Sequence, residues 1–141
     1  DNAKPISSWY DSGISNIRKK ISKSFHKDTQ TSLLYPKGEY GPRFLVTKNF
    51  YVLKTYNNSD LYALYVAHLS DRIRGDNGAF RTGWEKTSSL TQAEIFNLQN
   101  ALIDNGLNVG AHDGLVGHKT RRAIGLWQER QKKNITCFPN K

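Results

Sequence analysis

The segment from Asn105 to Thr120, NGLNVGAHDGLVGHKT, constrains the fold of this chain more than any other stretch. Its repeated glycines and its Asp-Gly pair are typical of a loop, because glycine adopts backbone conformations that other residues avoid and aspartate bonds to nearby backbone N–H groups. On both sides of the segment, hydrophobic residues recur at three- and four-residue spacing, which is the period of an amphipathic helix. The pattern therefore predicts a helix, an irregular loop and a second helix.

The first of these helices is predicted to begin after Ser89 or Thr91 and to end at Asn105. One face carries hydrophobic residues at helical spacing, namely Ile95, Leu98, Ala101 and Leu102. Gly106 is then expected to end the helix by adopting the left-handed backbone conformation.

The second helix is predicted to begin at about His118. Its spacing brings together Ala123, Ile124, Trp127 and Gln131. Because Trp127 shares a face with small and aliphatic residues, we expect it to lie in the core rather than to serve as a ligand platform.

The two helices and their loop resemble the small peptidoglycan-binding domain. That family combines a Leu-Gln-x-x-Leu helix, a Gly-x-x-x-Gly-x-x-Asp-Gly-x-x-Gly loop and a Lys-Thr-x-x-Ala-Ile helix ending in an aromatic residue and Gln. The matching residues here are Leu98, Gln99, Leu102, Gly106, Gly110, Asp113, Gly114, Gly117, Lys119, Thr120, Ala123, Ile124, Trp127 and Gln128. The resemblance implies a small three-helix module that holds cell-wall glycan peptide in a shallow groove and has no catalytic machinery of its own.

The candidates for that groove lie beside the loop: His112, Asp113, Gln128 and the exposed faces of Arg121 and Arg122. For Asp113, a role that only shapes the turn fits equally well. A zinc site formed by His112, Asp113 and His118 is not favoured, because their spacing matches no zinc motif. We predict no metal site and no cofactor.

The first half of the chain carries a second pattern. It reads GPRFLVTKNF at 41–50 and YNNSDLYALYVAHLSDRI at 56–73. This resembles the C-terminal part of the catalytic domain of B-type lytic murein transglycosylases (glycoside hydrolase family 103), which reads G-P-x-F-L-V-x-x-N-F-x-V-I-x-x-Y-N-x-S-x-x-Y-A-x-x-V-x-x-L-x-D-R-I. Pro5, Trp9 and Gly13 resemble the family's earlier P-x-x-x-W-x-x-x-G segment. The resemblance implies a mainly α fold, in which the helical end of a lysozyme-like transglycosylase domain precedes the peptidoglycan-binding domain.

Turn-forming residues at 75–78 and helix-capping residues at 87–89 predict a boundary between two domains, 1–83 and 84–141. In the first domain, Asn49 is predicted to cap a helix over 50–55 and Ser59 to cap a helix over 60–74. The second of these helices has a wide apolar face that includes Leu61, Tyr65 and Leu69, which is typical of a buried helix.

Tyr56 and Asn57 fall at the joint between these two predicted helices, where polar side chains can point into a cleft. By resemblance, Asn57 would bind the N-acetyl group of a sugar or steady an oxocarbenium-like charge, and Tyr56 and Tyr62 would line the glycan subsites. The alternative for both tyrosines is a place in the core. The family's catalytic glutamate belongs to an upstream Glu-Ser or Glu-Thr segment that this sequence lacks, so we expect no catalytic residue within this chain.

The chain has 21 Lys and Arg against 12 Asp and Glu, a formal net charge of +9, which favours an anionic partner. Nucleic acid, acidic lipid head groups and peptidoglycan carboxylates all qualify on charge, but the basic clusters at 18–20 and 130–133 form no nucleic-acid motif. No apolar run is long enough to cross a bilayer. The polar first residues carry no signal peptide, so an exported protein would have lost its leader or the chain is a piece of a longer one. Cys137 is the single cysteine, which excludes an intrachain disulfide.

The sequence therefore predicts a periplasmic or cell-envelope protein that comprises part of a transglycosylase domain and a complete peptidoglycan-binding domain. Its expected partners are peptidoglycan and the remainder of the catalytic domain. The main alternative is a non-catalytic cell-wall binding or interaction protein, which keeps the fold elements but does not cleave glycan. A basic nucleic-acid-binding protein is the third reading, and it rests on charge alone.

Overall fold

The computed structural model describes residues 3–12, 14, 26–75, 80 and 83–140. These residues form five α-helices and one three-stranded sheet, which confirms the predicted mainly α class. The chain divides into two compact units: the first comprises Asp1–Leu34 and Phe44–Asp76, and the second comprises Tyr35–Arg43 and Asn77–Lys141. The domain limits 1–83 and 84–141 stay a prediction. Gly13, the basic cluster at 18–20 and part of the predicted turn at 75–78 lie outside the described residues.

The first unit begins with a small antiparallel sheet. Its elements in chain order are β1 (Lys4–Pro5), helix α1 (Ile6–Asp11), β2 (Gln30–Leu34) and β3 (Phe44–Val46). The central strand, β2, pairs with β1 through Thr31 and with β3 through residues 32–34. The indole Nε1 of Trp9 donates to the Thr31 hydroxyl at 3.1 Å, which ties α1 to the sheet. Thr31 is buried, so its hydroxyl needs such a partner.

Two helices complete the first unit: α2 (Lys48–Tyr56) and α3 (Asp60–Ile73). The cap predicted for α3 is confirmed, because the Ser59 hydroxyl accepts a hydrogen bond from the Tyr62 N–H at 3.3 Å. The cap predicted for α2 is wrong: the helix begins one residue before Asn49, and the capping position is Thr47. The core cluster of this unit contains the buried residues Val46, Phe50 and Ala63, and Ile6 of α1 is also buried.

The prediction that α3 is buried along its apolar face is wrong. Leu61, Tyr65 and Leu69 are 57%, 66% and 45% exposed. The helix instead buries Ala63, which is 0% exposed and belongs to the core cluster with Phe50 of α2. Periodicity correctly grouped the large residues on one face, but a different face of the helix is covered.

The second unit contains α4 (Gln92–Asp104) and α5 (His118–Arg130), at the predicted positions. The predicted third helix is absent, because residues 83–140 are all described and hold only these two. Gly106 has φ +73°, as its predicted stop requires. The core combines buried residues from both helices and from the loop between them, namely Leu102, Leu107, Val109, Ala123 and Ile124. Leu98 and Trp127 are partly buried and pack against this core, as expected for Trp127.

Residues 35–43, between β2 and β3, also belong to the second unit. They include a 3-10 helix, Gly38–Tyr40. The Glu39 N–H donates to the Thr136 carbonyl at 2.9 Å, and the Tyr40 ring meets Phe138 edge-on with centroids 6.5 Å apart. The C-terminal residues therefore hold this loop in place within the unit.

Two general findings concern the described part of the chain. None of its helices has both the length and the apolar character required to cross a bilayer. Within the same residues, no three His, Cys, Asp or Glu side chains gather in a way that would hold a metal ion.

Candidate functional site

The first candidate site lies at the joint between α2 and α3. Asn57 is the C-cap residue that directly follows α2, and its backbone N–H donates to the Leu53 carbonyl at 3.1 Å. Its side-chain Oδ1 accepts from the Ser59 N–H at 3.0 Å, which is the local turn that aspartate and asparagine favour. One bond leaves the second lone pair of Oδ1 available to a ligand together with Nδ2.

Two tyrosines flank Asn57. Tyr56 is 83% exposed and Tyr62 is 36% exposed, so neither ring is a core residue. Their ring centroids are 6.2 Å apart and the rings are inclined by 31°. Together they present an aromatic surface with polar hydroxyl edges, which is suited to a sugar ring with one apolar face.

An ion pair fixes the geometry of the joint. The Lys54 ammonium donates to Oδ1 of Asp60 at 2.6 Å, and the two side chains are only 20% and 10% exposed. A half-buried, charge-assisted hydrogen bond is stronger than one in open solvent. Because Lys54 lies on α2 and Asp60 opens α3, this pair holds the two helices on either side of Asn57.

No glutamate lies at the joint, and the carboxylate found there, that of Asp60, is paired with Lys54. All four glutamates of the chain belong to the second unit. Glu94 closes a capping box with Thr91 at the start of α4, and Glu39 accepts a hydrogen bond from Asn134 at 3.2 Å. Glu85 and Glu129 are exposed. These surroundings give none of them the environment of a general acid.

The second candidate site lies beside the loop between α4 and α5. An open depression of about 610 Å³ is lined by Thr91, Gln92, Ala93, Phe96, Asn97 and Asp113. His112 borders it, with its ring stacked on Phe96 at a centroid distance of 3.8 Å and an angle of 15°. The depression thus combines an aromatic stack, amides and one carboxylate.

The structure places the predicted groove residues differently. His112 and Asp113 are exposed at the depression, and Oδ1 of Asp113 also accepts from the Leu115 N–H at 2.9 Å, so this aspartate does shape the turn. Arg121, by contrast, is 8% exposed, and its guanidinium donates to the Val116 carbonyl at 3.1 Å. The expected exposure of Arg121 is therefore wrong.

Gln128 has a structural partner as well. Its Oε1 accepts from the backbone N–H groups of Thr136 and Cys137, both at 3.0 Å, and its Nε2 donates to the Thr136 hydroxyl at 2.8 Å. The side chain anchors the C-terminal residues, so it is not at the depression. Arg122 is exposed.

Sequence reasoning missed the residue that builds the loop, Gln99. It is 0% exposed. Its Nε2 lies within 3.1–3.2 Å of the Ala111 carbonyl, the Leu115 carbonyl and the Thr120 hydroxyl, and its Oε1 accepts from the Gly114 N–H at 2.8 Å. Gln99 stands in the Leu-Gln pair of the motif, and a loop with so many carbonyls needs a buried donor. The need of the loop carbonyls for a buried donor was the signal from which a structural role for Gln99 could have been predicted.

Gly114 could not be another residue in this loop. Its φ is +74°, and a Cβ atom there would lie 2.6 Å from the Gln92 carbonyl oxygen. Backbone atoms cannot move aside as the end of a flexible side chain can. Phe96 and Asn97 were missed because they lie outside the apolar face of α4, where the sequence pattern gives no functional signal.

Comparison with known proteins connects these features to a family. The profile of the transglycosylase SLT domain matches residues 1–71. Among solved structures, SltB3 from Pseudomonas aeruginosa in complex with NAG-NAM-pentapeptide is similar with a TM-score of 0.75 and 31% identity, covering 99% of this chain and 37% of that chain. SltB3 in complex with NAG-anhNAM-pentapeptide gives a TM-score of 0.74 at the same identity and coverage. A search of curated proteins found no match.

The solved relative supports the predicted lysozyme-like, mainly α fold. The chain spans 37% of the length of that relative, so a substantial part of SltB3 has no counterpart here. The matched residues 1–71 make up half of the 141 residues and include the joint with Tyr56 and Asn57. The chain belongs to the transglycosylase SLT domain family.

Proposed function

We propose that this chain binds peptidoglycan and forms the closing section of a B-type lytic transglycosylase domain of glycoside hydrolase family 103, followed by a peptidoglycan-binding module. The observation that carries the proposal is the exposed Tyr56–Asn57–Tyr62 surface within the segment that matches the family. It is supported by the solved complexes of SltB3, whose ligands are peptidoglycan fragments.

In this proposal the joint handles the glycan strand. The faces of Tyr56 and Tyr62 pack against sugar rings, and their hydroxyls stay in contact with water or with sugar hydroxyls. Asn57 donates from Nδ2 to the N-acetyl carbonyl of the substrate, or the second lone pair of its Oδ1 steadies the positive charge that develops on the ring. The Lys54–Asp60 ion pair keeps Asn57 in position while the substrate binds.

The reaction of such an enzyme is the non-hydrolytic cleavage of the bond after N-acetylmuramic acid. One glutamic acid protonates the leaving oxygen and then takes a proton from the substrate's own hydroxyl, which closes a 1,6-anhydro ring. The first unit of this chain contains no glutamate. We therefore propose that the acid is supplied by the remainder of the catalytic domain and that this chain alone does not cleave glycan.

The second unit is proposed to hold the wall polymer. The depression beside His112 and Asp113 offers a stacked aromatic pair and the Asn97 amide to glycan or stem peptide. Even a weak module raises the effective concentration of an attached catalytic domain at an insoluble substrate. This role implies a location in the periplasm or cell envelope, with peptidoglycan rather than nucleic acid as the partner.

Co-sedimentation with purified sacculi tests the binding proposal. The chain should pellet with sacculi at moderate salt, and recovery wholly in the supernatant would refute the proposal. Tyr56→Ala should weaken retention by about threefold to tenfold, because one exposed aromatic contact contributes on the order of 1 kcal/mol.

Variants in the second unit test the depression. Asn97→Ala should weaken retention, whereas Asn100→Ala should not, because Asn100 is exposed on the same helix but does not line the depression. Equal retention of the two variants would exclude the depression as the binding site.

Product analysis tests the catalytic part. The isolated chain should release no anhydromuropeptides from sacculi. In the complete enzyme, Asn57→Ala should lower turnover about tenfold or more, as the loss of a group that stabilises charge does, while the neighbouring Asn58→Ala should leave turnover unchanged. Full activity of the Asn57→Ala enzyme would remove Asn57 from the mechanism.

A non-catalytic protein of the cell wall is the second candidate. The absence of glutamate from the first unit is as compatible with this candidate as with an enzyme whose acid lies elsewhere, because a binding protein needs no acid. The parent gene discriminates between the two: a glutamate beside Ser or Thr in an upstream helix makes the protein an enzyme, and a leader directly before Asp1 makes it a binding protein.

A further inference from the structure

Helix α3 exposes an apolar stripe. We use this name for Leu61, Tyr65, Leu69 and Ile73, which follow one another at intervals of four residues and are 57%, 66%, 45% and 78% exposed. Residues at this spacing lie on one face of a helix. On a different face of α3, Ala63 is completely buried. The helix therefore covers a small residue and leaves large apolar ones in water, which reverses the usual arrangement.

Such a surface is unfavourable in a complete domain. Contiguous exposed apolar side chains mark an interface on a soluble protein. Among the described residues of the first unit, the core cluster has Val46, Phe50 and Ala63 as its buried members, with partly buried residues packed against them: Leu34, Phe44, Leu53 and Leu64. None of the stripe residues belongs to this cluster, so the stripe is an apolar surface that remains exposed to solvent.

The comparison with SltB3 suggests what could cover the stripe. This chain corresponds to only 37% of the SltB3 chain, whereas 99% of this chain is matched. The stripe begins within the segment matched to the transglycosylase domain, residues 1–71. We propose that the apolar stripe of α3 is the docking face for the section of an SltB3-like chain that has no counterpart here, continuous with this chain in one polypeptide.

A polypeptide that completes a domain fits the stripe better than a second copy of the chain does. Four side chains offer well under the roughly 800 Å² per partner that a standard stable interface buries. A separate partner must also overcome the loss of translational and rotational freedom on association, while a covalently continuous section does not. The aliphatic and tyrosine side chains at four-residue spacing form a ridge that fits the groove of a neighbouring helix.

This inference rests on the part of the proposed function that makes the chain the closing section of a transglycosylase domain, and it does not depend on peptidoglycan binding. It predicts that the same substitution has different effects in two settings. In the isolated chain, Leu69→Glu places a charge in water. In the completed domain, it places an unpaired charge in the interior, which is costly.

The test uses a chimera in which this chain replaces the segment of SltB3 that it matches. Thermal unfolding is measured for the chimera and for the isolated chain, each with Leu69→Glu or with the control Ser70→Glu. Ser70 is the adjacent exposed residue, about 100° around the helix from the stripe. Leu69→Glu should lower the Tm of the chimera by roughly 5 °C or more and shift the isolated chain by less than about 2 °C. The control should shift neither by more than about 2 °C.

Tyr65→Ala serves as a milder second variant if the chimera with Leu69→Glu fails to fold. It should lower the Tm of the chimera and leave the Tm of the isolated chain unchanged. Large falls in both settings would mean that the stripe packs within this chain and would overturn the proposal. Small shifts in both, or a parent chimera that does not fold, would overturn it as well. If the isolated chain forms a dimer or binds phosphatidylglycerol vesicles, and Leu69→Glu abolishes this without affecting the chimera, the occupant is a second copy or a membrane and the proposal is wrong.

Discussion

At the scale of single residues, Gln99 organises the second unit. Its amide, which is fully buried, bonds to two loop carbonyls, the Thr120 hydroxyl and the Gly114 N–H. A buried amide that loses its partners incurs a desolvation cost, while one that satisfies four groups holds a loop that has no regular structure. The depression beside Asp113 therefore depends on a residue that no ligand would touch.

Replacing Gln99 with leucine should destabilise the second unit by about 2–4 kcal/mol, because the shape is nearly kept but several buried polar groups lose their partners. Chemical denaturation followed by Trp127 fluorescence measures this, since Trp127 packs against the core of the same unit. Gln131→Leu is the control, because Gln131 is exposed. Equal denaturation midpoints for the two variants would contradict the role of Gln99.

Cys137 and Gly125 form a closely packed pair with a structural role. Cys137 has φ +54°, a conformation that favours glycine, and a Cβ atom at Gly125 would lie 2.6 Å from its Sγ. Burial, followed by the nearby Glu39 carboxylate, raises the pKa of the Cys137 thiol. The thiol thus stays protonated at neutral pH and packs as a small apolar group.

Gly125→Ala should destabilise the chain by about 1–3 kcal/mol through this overpacking, and Cys137→Gly in the same chain should restore part of the loss. The second substitution removes the sulfur and suits the positive φ, so the two effects should be non-additive in a double-mutant cycle. Strictly additive free energies of unfolding would show that the contact is not the cause.

The raised thiol pKa also fixes a sign for the pH dependence. Between the thiol pKa values of the unfolded and folded states, the folded chain binds more protons, so its stability falls as the pH rises. Wild type should lose stability above a pH of about 8.5, the ordinary thiol value, relative to Cys137→Ser. Unfolding midpoints of the two proteins at pH 7 and 10 test this, and parallel pH profiles would contradict it.

At the scale of elements, the helices of the second unit follow from local sequence. Their period, the Thr91 cap and the stop at Gly106 all act within a few residues, so the sequence predicts α4 and α5 at nearly their observed limits. Which face of a helix is covered is decided by residues far along the chain. For that reason the stripe of Leu61, Tyr65 and Leu69 was predicted as one group but wrongly predicted to be buried.

The same limit explains the outcome for the candidate site residues. Asn57 and its neighbouring tyrosines are placed by the joint of two helices, which the sequence predicts from a cap at Ser59. Arg121 and Gln128 have long polar side chains, and their burial depends on the Val116 carbonyl and the Thr136 backbone as partners. Spacing along a helix does not reveal such partners.

The start of α4 offers a test at this scale. Thr91 and Glu94 form a reciprocal capping box, in which the Thr91 hydroxyl accepts from the Glu94 N–H at 3.3 Å and the Glu94 carboxylate accepts from the Thr91 N–H at 2.7 Å. Thr91→Ala should cost about 1 kcal/mol of stability. Ser89→Ala should cost little, because Ser89 is exposed and precedes the cap. Thermal unfolding of both variants tests this. Equal midpoints for the two would show that the capping box does not stabilise the helix.

At the scale of the whole molecule, the net charge of +9 acts together with the aromatic surface at the joint. In the proposed peptidoglycan binding, charge attracts the chain to the carboxylates of stem peptides over a distance set by the Debye length, while the aromatic rings act only at direct contact. The two contributions differ in their response to salt. A binding surface that uses both should lose one part of its affinity in salt and keep the other.

Retention on sacculi should therefore fall several-fold as NaCl rises from about 0.1 M to 1 M, where the Debye length shrinks from about 10 Å to about 3 Å. The part that remains in 1 M salt should be reduced further by Tyr56→Ala, because salt does not screen an apolar contact with the sugar ring. In the same salt series, a control that neutralises an exposed cation, Lys132→Gln, should lower retention at 0.1 M and leave it unchanged at 1 M. If retention does not change with salt, the basic charge has no part in binding, and if Tyr56→Ala matches wild type in 1 M salt, the ring does not contact the glycan.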